Sequence, residues 1–266
     1  MSSFETDTAV TPQGDGVFSA DVNERWWVVR GPHGGYIAAI LLRALMERVG
    51  DDDRPPRSLT IHYVAAPKAG AAEIATTIER EGTSSTFASA RMTQNGKLMA
   101  NAIAVFSRPW TGLEFFDATM PETVPPEEGF PVNGLEGTPP FLNNFDMRWT
   151  LGEPPMSGAD EALVGGWMRL DEPLVADYPS IACLMDAGPP AIFPRVTEPF
   201  VAPTLDLTIH FRTTVPLPNA GPEDYYLGKF WSLMGRDGFF EEDGQLWSRD
   251  GTLIAQSRQL ALALKR

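Results

Sequence analysis

The chain of 266 residues is 43% hydrophobic and 21% charged, ordinary proportions for one large or two small globular domains, and its formal net charge is −14. That charge argues against non-specific nucleic-acid binding, which needs basic patches to displace counterions. The single cysteine, Cys183, excludes an intrachain disulfide and a cysteine-rich metal site. The first residues lack the basic and apolar regions of a secretory signal, so a cytoplasmic protein is expected; a small anionic ligand remains compatible through local cations.

Residues 1–15 read as a loose polar arm, followed by two short β-prone pieces at 17–20 and 26–29. Residues 34–49 are the most informative stretch, apolar on nearly every side and interrupted only by Arg43, Glu47 and Arg48. A helix apolar all round is enclosed by other structure. This one is too short and interrupted for a membrane span, which needs about 20 apolar residues. Gly50 and the acidic turn Asp51-Asp52-Asp53 end it. Residues 59–64 then alternate with period two, as a half-buried strand does. Further strands are predicted at 72–81, 85–94 and 97–107, and Asn95-Gly96 between the last two predicts a type I′ hairpin turn.

Between 109 and 155, prolines at 121, 125, 126, 131, 139 and 140 punctuate the chain and no clean period survives. This predicts a connecting segment, draped over the protein through Trp110, Phe115, Phe116 and Phe141. The second half then repeats the first, with a strand at 164–170 and a short helix at 179–187 before Gly188-Pro189-Pro190. Leu207-Thr208-Ile209-His210-Phe211 nearly copies Leu59-Thr60-Ile61-His62-Tyr63 at an offset of 148 residues, and residues 250–255 echo 95–100 at an offset of 155. Two matches in the same order, with helix, strands and turn also in order, predict an internal duplication. The expected units are 1–108, a connector at 109–155, and 156–266.

A buried helix opening on Gly-Gly-Tyr and wrapped by a sheet, twice in one chain, resembles the double-hotdog acyl-CoA thioesterases of the thioesterase II (TesB-like) family. The resemblance is strongest at Gly34-Gly35, Thr204-Leu205-Asp206 and residues 251–259. It implies an α+β double hotdog in which each repeat wraps a long antiparallel sheet around a central helix. It also implies a fatty acyl-CoA substrate, hydrolysis without metal or other cofactor, no membrane insertion, and further association with copies of the same chain. The water-activating set it implies is Asp186 on the second helix, Thr204 opening the next long strand, and Gln259 on the final strand. Main-chain amides at Gly34 and Gly35 would stabilise an oxyanion through the helix dipole, with His33 lining the pocket.

The repeat tests this set without reference to the family. Asp186 falls opposite Ala38, Thr204 opposite Pro56 and Gln259 opposite Ala104, so all three polar groups belong to the second half alone. Gln259 also interrupts a strand face of small residues, Ala255, Ser257, Ala261 and Ala263. Each residue has a plainer reading. Asp186 would satisfy turn amides, although a helix C-terminus disfavours negative charge. Thr204 shares a strand face with Asp206 by simple alternation, which does not place it in a pocket. The glycines would only permit tight packing. His62 and His210, kept in both halves, read as structural, and nothing in the spacing of Arg30, Lys68, Arg91 and Arg212 selects a phosphate site. Two other functions stay open: a non-catalytic acyl or acyl-CoA binder, and an enoyl-CoA hydratase or dehydratase, for which only His33 could serve.

Overall fold

The computed structural model describes residues 2–29, 31–132, 139–198 and 200–265. The helix expected at 34–49 is Gly34–Val49, opened by His33 as N-cap and closed by Gly50, whose left-handed φ of 59° lets its N–H reach the Met46 carbonyl. Ile40, Leu41, Leu42 and Leu45 are wholly buried, each contributing about 1.5–3 kcal/mol of hydrophobic stabilisation. Arg43, one of the interruptions, donates to Thr8 Oγ1 at 2.8 Å and to Asp177 Oδ2 at 3.2 Å. Asp177 is the N-cap of a second, shorter helix, Tyr178–Leu184, which packs against the first.

Five strands curve around the long helix in the order Val17–Val22, Gly70–Glu81, Ser85–Gln94, Lys97–Ser107, Pro56–Tyr63. The mirrored series Thr204–Phe211, Leu253–Leu262, Phe239–Trp247, Tyr226–Ser232, Ala162–Leu170 continues the same antiparallel sheet around the short helix. This is the α+β double hotdog. The halves join where Pro56–Tyr63 pairs with Thr204–Phe211, and Thr60 lies directly opposite Thr208, their hydroxyls 3.0 Å apart. Those two threonines are repeat equivalents, so the pairing runs through a pseudo-two-fold axis. The ladder registers carry the same duplication: Leu59 pairs with Ala104 in one half and Leu207 with Gln259 in the other.

The hairpin at Asn95-Gly96 has positive φ at both residues, 52° and 73°, as expected. Its counterpart differs. Gly251 donates to Ser248 O and alone takes a positive φ there, 87°, beside a register shift at Leu246/Trp247. That is a turn plus bulge in place of a two-residue loop.

Three expectations need correction. The N-terminal arm is docked: Ser2 caps a helix at Ser3–Asp7, Phe4 is buried edge-on against Trp26, and Asp7 accepts from Trp26 Nε1 at 3.0 Å. One buried aromatic and one carboxylate suffice to hold so short a segment. The piece at 26–29 is no strand, because Asn23 caps a 3-10 turn at Glu24–Trp26 and leaves only a bridge from Trp27 to Pro32. Within 109–155, Phe141 alone of the four aromatics is buried, packed on His33, whereas Trp110, Phe115 and Phe116 are exposed. The end of that segment forms strand Phe145–Leu151, paired with Ala162–Leu170. No helix among the described residues is long and apolar enough to cross a membrane.

Removing the Phe4 ring should cost about 3 kcal/mol, the usual loss for a buried Phe→Ala change. Urea denaturation of Phe4→Ala checks this; an unchanged midpoint would show the arm to be dispensable.

Candidate active site

The second helix ends at Leu184, two residues before Asp186, so Asp186 lies in the turn that follows. It is therefore not the structural counterpart of Ala38, which lies within the long helix. The chain leaves this turn through Gly188-Pro189-Pro190, which cannot continue a helix. Asp186 abuts the opposite end of the neighbouring helix: its Oδ2 accepts the Gly35 N–H at 2.7 Å and lies 3.4 Å from His33 Nε2. The positive end of the long helix dipole thus faces the carboxylate, which answers the electrostatic objection raised by its position in sequence.

The two glycines make this contact possible. A Cβ at Gly34 would lie 2.7 Å from Asp186 Oδ2, and one at Gly35 would lie 2.5 Å from the Cys183 carbonyl and 2.7 Å from His33 Cε1. The packing reading of Gly34-Gly35 is met, and the Gly35 amide engages Asp186 rather than standing open to a cleft. His33 is buried and stacked on Phe141, with ring centroids 4.8 Å apart. Its Nδ1 accepts the Tyr36 N–H at 3.2 Å and its Nε2 lies 2.7 Å from the Asp186 carbonyl, so both nitrogens are occupied. Burial raises the Asp186 pKa, opposed by the His33 ring and the Gly35 amide. The Cys183 thiol is fully buried and its pKa is pushed well up, so it packs as a neutral group.

Thr204 and Gln259 form a second cluster. A bulge between Thr204 and Asp206 sets Thr204 opposite Ala261, on the inner face with Leu207 and Gln259, and Asp206 on the outer face opposite Leu260. Simple alternation misplaces Thr204 because it counts no bulge; bulges commonly re-aim side chains near active sites. The same irregularity recurs between Pro56 and Ser58 in the first half. Thr204 Oγ1 donates to Gln259 Oε1 at 2.8 Å, and Gln259 Nε2 donates to Glu242 Oε1 at 2.5 Å. Glu242 Oε2 accepts the Ala191 N–H at 2.5 Å. The turn from Asp186 to Ala191 therefore spans the two clusters.

Sequence reasoning missed Glu242 and Tyr63, and the repeat held a signal for both. Glu242 pairs with Gln259 where the first half pairs Ala88 with Ala104. A buried Glu–Gln pair thus stands where the other repeat has two alanines. Tyr63 is the one difference in the copied pentapeptide, Phe211 being its counterpart, and its hydroxyl donates to the Gly34 carbonyl at 3.0 Å. Lys68, Arg91 and Arg212 are exposed on separate elements, and Arg30 lies outside the described residues. His62 and His210 are both exposed on the outer sheet face. Among the described residues no group of three or more His, Cys, Asp or Glu could hold a metal ion.

Residues 23–107 match the acyl-CoA thioesterase N-terminal domain and residues 119–263 the acyl-CoA thioesterase C-terminal domain. The chain belongs to the acyl-CoA thioesterase family. An uncharacterized protein of Mycobacterium tuberculosis is 25% identical over 92% of this chain and 90% of its own length. A hot dog protein of unknown function from Alicyclobacillus acidocaldarius superposes with a TM-score of 0.89 at 24% identity, covering 100% and 99% of the two chains. Acyl-CoA thioesterase II TesB2 from Mycobacterium marinum gives 0.78 at 18% identity, covering 99% of each chain.

Burial pushes the Glu242 carboxyl up to about 7, with the charges of Asp186 and Asp243 adding to the rise. A carboxyl whose pKa is raised by folding stabilises the fold below its unfolded value and loses that contribution as pH rises through the folded value. Wild type should therefore lose about 3 kcal/mol relative to Glu242→Gln as pH rises from the ordinary carboxylate range to above 7. Denaturant titrations of both proteins across that range check the sign; parallel curves would refute it.

Proposed function

We propose that this protein hydrolyses a fatty acyl-CoA thioester to the free acid and CoA, using a water activated by Asp186. The observation that carries the reading is the buried Asp186 carboxylate, anchored through Oδ2 at a helix N-terminus, with a Thr204–Gln259 pair tied through Glu242 to Ala191 at the far end of its turn. Family membership supplies the substrate class. In this scheme Asp186 Oδ1 takes a proton from the water as the water oxygen attacks the thioester carbonyl carbon. Thr204 and Gln259 hold the water by hydrogen bonds. The tetrahedral intermediate collapses with cleavage of the C–S bond, and the proton held by Asp186 passes to the departing sulfur, which leaves as the CoA thiol and returns the carboxylate. A small apolar cleft walled by Trp149, Trp167, Met168, Gly188, Pro189 and Phe230 adjoins the turn that carries Asp186.

Against the hydratase reading, both nitrogens of the buried His33 ring have protein partners. Desolvation raises the Asp186 pKa, as suits a base that must accept a proton near neutral pH.

Free-thiol release should be seen from at least one member of an acyl-CoA panel running from short to long and aromatic chains. Asp186→Asn retains an acceptor for the Gly35 amide, so it should fold while losing at least about a hundredfold in kcat. Undiminished turnover in that variant would refute the assignment of the base. Saturable binding of acyl-CoA with no turnover by wild type would make the protein a binder instead.

A further inference from the structure

Glu242 is a buried carboxylate on a strand whose other inward residues are Phe240, Gly244 and Leu246, and the hydrolytic scheme gives it no role. Both of its oxygens face donors, the Ala191 N–H and the Gln259 side-chain amide. Two donors match an ionised carboxylate. They also fix the Gln259 amide, whose Nε2 must point to Glu242 and whose Oε1 then takes the Thr204 hydroxyl hydrogen. With its hydrogen committed, Thr204 Oγ1 has only lone pairs left to offer a further partner.

We propose that Glu242 is a positioning residue for hydrolysis: through Gln259 it sets the direction of the Thr204 hydroxyl, and its ionised form is the active one. The proposal rests on the thioesterase reading and deepens it. A water with Asp186 and Thr204 as its two acceptors has an oxygen lone pair left to aim at the thioester carbon. Protonation of Glu242 reverses the chain. The new O–H needs an acceptor, so the Gln259 amide turns over to offer Oε1, and Nε2 now donates to Thr204 Oγ1. The Thr204 hydroxyl is then released to donate to the water, which removes the water's second acceptor and turns its oxygen away from the orientation for attack. One proton from solvent forms the Glu242 O–H bond, no other covalent bond changes, and the hydrogen-bond polarity of three residues inverts.

The titratable groups that face Glu242 are Asp186 from the turn after the short helix and Asp243 beside it on its own strand, both acting to raise its pKa. Arg258 on the adjacent strand pairs with Asp243, and Lys229 on the other neighbouring strand lies over Trp231. The proton uptake therefore falls near pH 7, to which the Glu242 pKa is raised.

The test is the pH profile of kcat for thiol release, from about pH 5 to 9, with the panel's best acyl-CoA, in wild type, Glu242→Gln and Thr204→Val. Wild type should lose about tenfold per pH unit below a limb near 7. Glu242→Gln should lack this limb and, at pH 8, show kcat down about 10–100-fold with KM within about threefold. Thr204→Val keeps the Glu242 charge but cuts the chain, so its residual activity should also lack the limb. A limb that persists in Thr204→Val would belong to Asp186 and overturn the proposal, as would wild-type kcat in Glu242→Gln. Should Glu242→Gln fail to fold, Thr204→Val decides alone. Should wild type turn over no substrate, the hydrolytic reading fails first, and infrared titration then tests the relay: a protonated-carboxyl band lost near pH 7 should shift in Thr204→Val, and an unshifted band overturns it.

Discussion

The Asp186 carboxylate rests 2.7 Å from the Gly35 amide, where the second repeat meets the start of the first repeat's helix. A buried carboxylate is costly unless donors compensate it, and here the compensation is an unpaired N-terminal amide, assisted by the helix dipole. The surroundings follow from that contact. Two consecutive glycines are needed because side chains there would overlap Asp186 and the Cys183 carbonyl. His33 caps the helix with one nitrogen and holds the Asp186 turn with the other. The short helix stops at Leu184, which leaves the turn free to reach across to Ala191 and Glu242.

The duplicated sheet explains how a site could arise on one side only. Both halves share strand order, the central pairing through Thr60 and Thr208, and a bulge at the start of the central strand. Within that frame the first half stays apolar where the second is polar: Ala88 and Ala104 against Glu242 and Gln259, Pro56 against Thr204. The first half contributes instead a long helix, whose N-terminus supplies the amide, and Tyr63, which braces Gly34. One repeat provides the electrostatic seat and the other the polar side chains. Neither has a complete set.

Much of this was legible in the amino-acid order. Period-two alternation, the Asn95-Gly96 turn and a helix apolar on all sides are local patterns, and the copied pentapeptide disclosed the duplication. Thr204 and Gln259 came from the family resemblance, and the repeat served as an internal control on them. The errors share a cause. The docking of the N-terminal arm depends on Trp26, which receives Phe4 and donates to Asp7 only after folding brings them together. A bulge changes which face a residue occupies without any mark in its own side chain, and so Thr204 was misplaced by counting.

The sequence by itself determined a helix enclosed by an antiparallel sheet, present twice, and the residues that break the repeat's symmetry, because these follow from hydrophobic period, turn chemistry and self-similarity; the double-hotdog arrangement rested on the family resemblance. Only the tertiary structure decided which helix end receives Asp186, that the Gly35 amide engages that carboxylate, and that Glu242 completes the chain from Thr204 through Gln259. Those are contacts between residues 17 to 151 positions apart, and their donors and acceptors are chosen by geometry that no local pattern encodes.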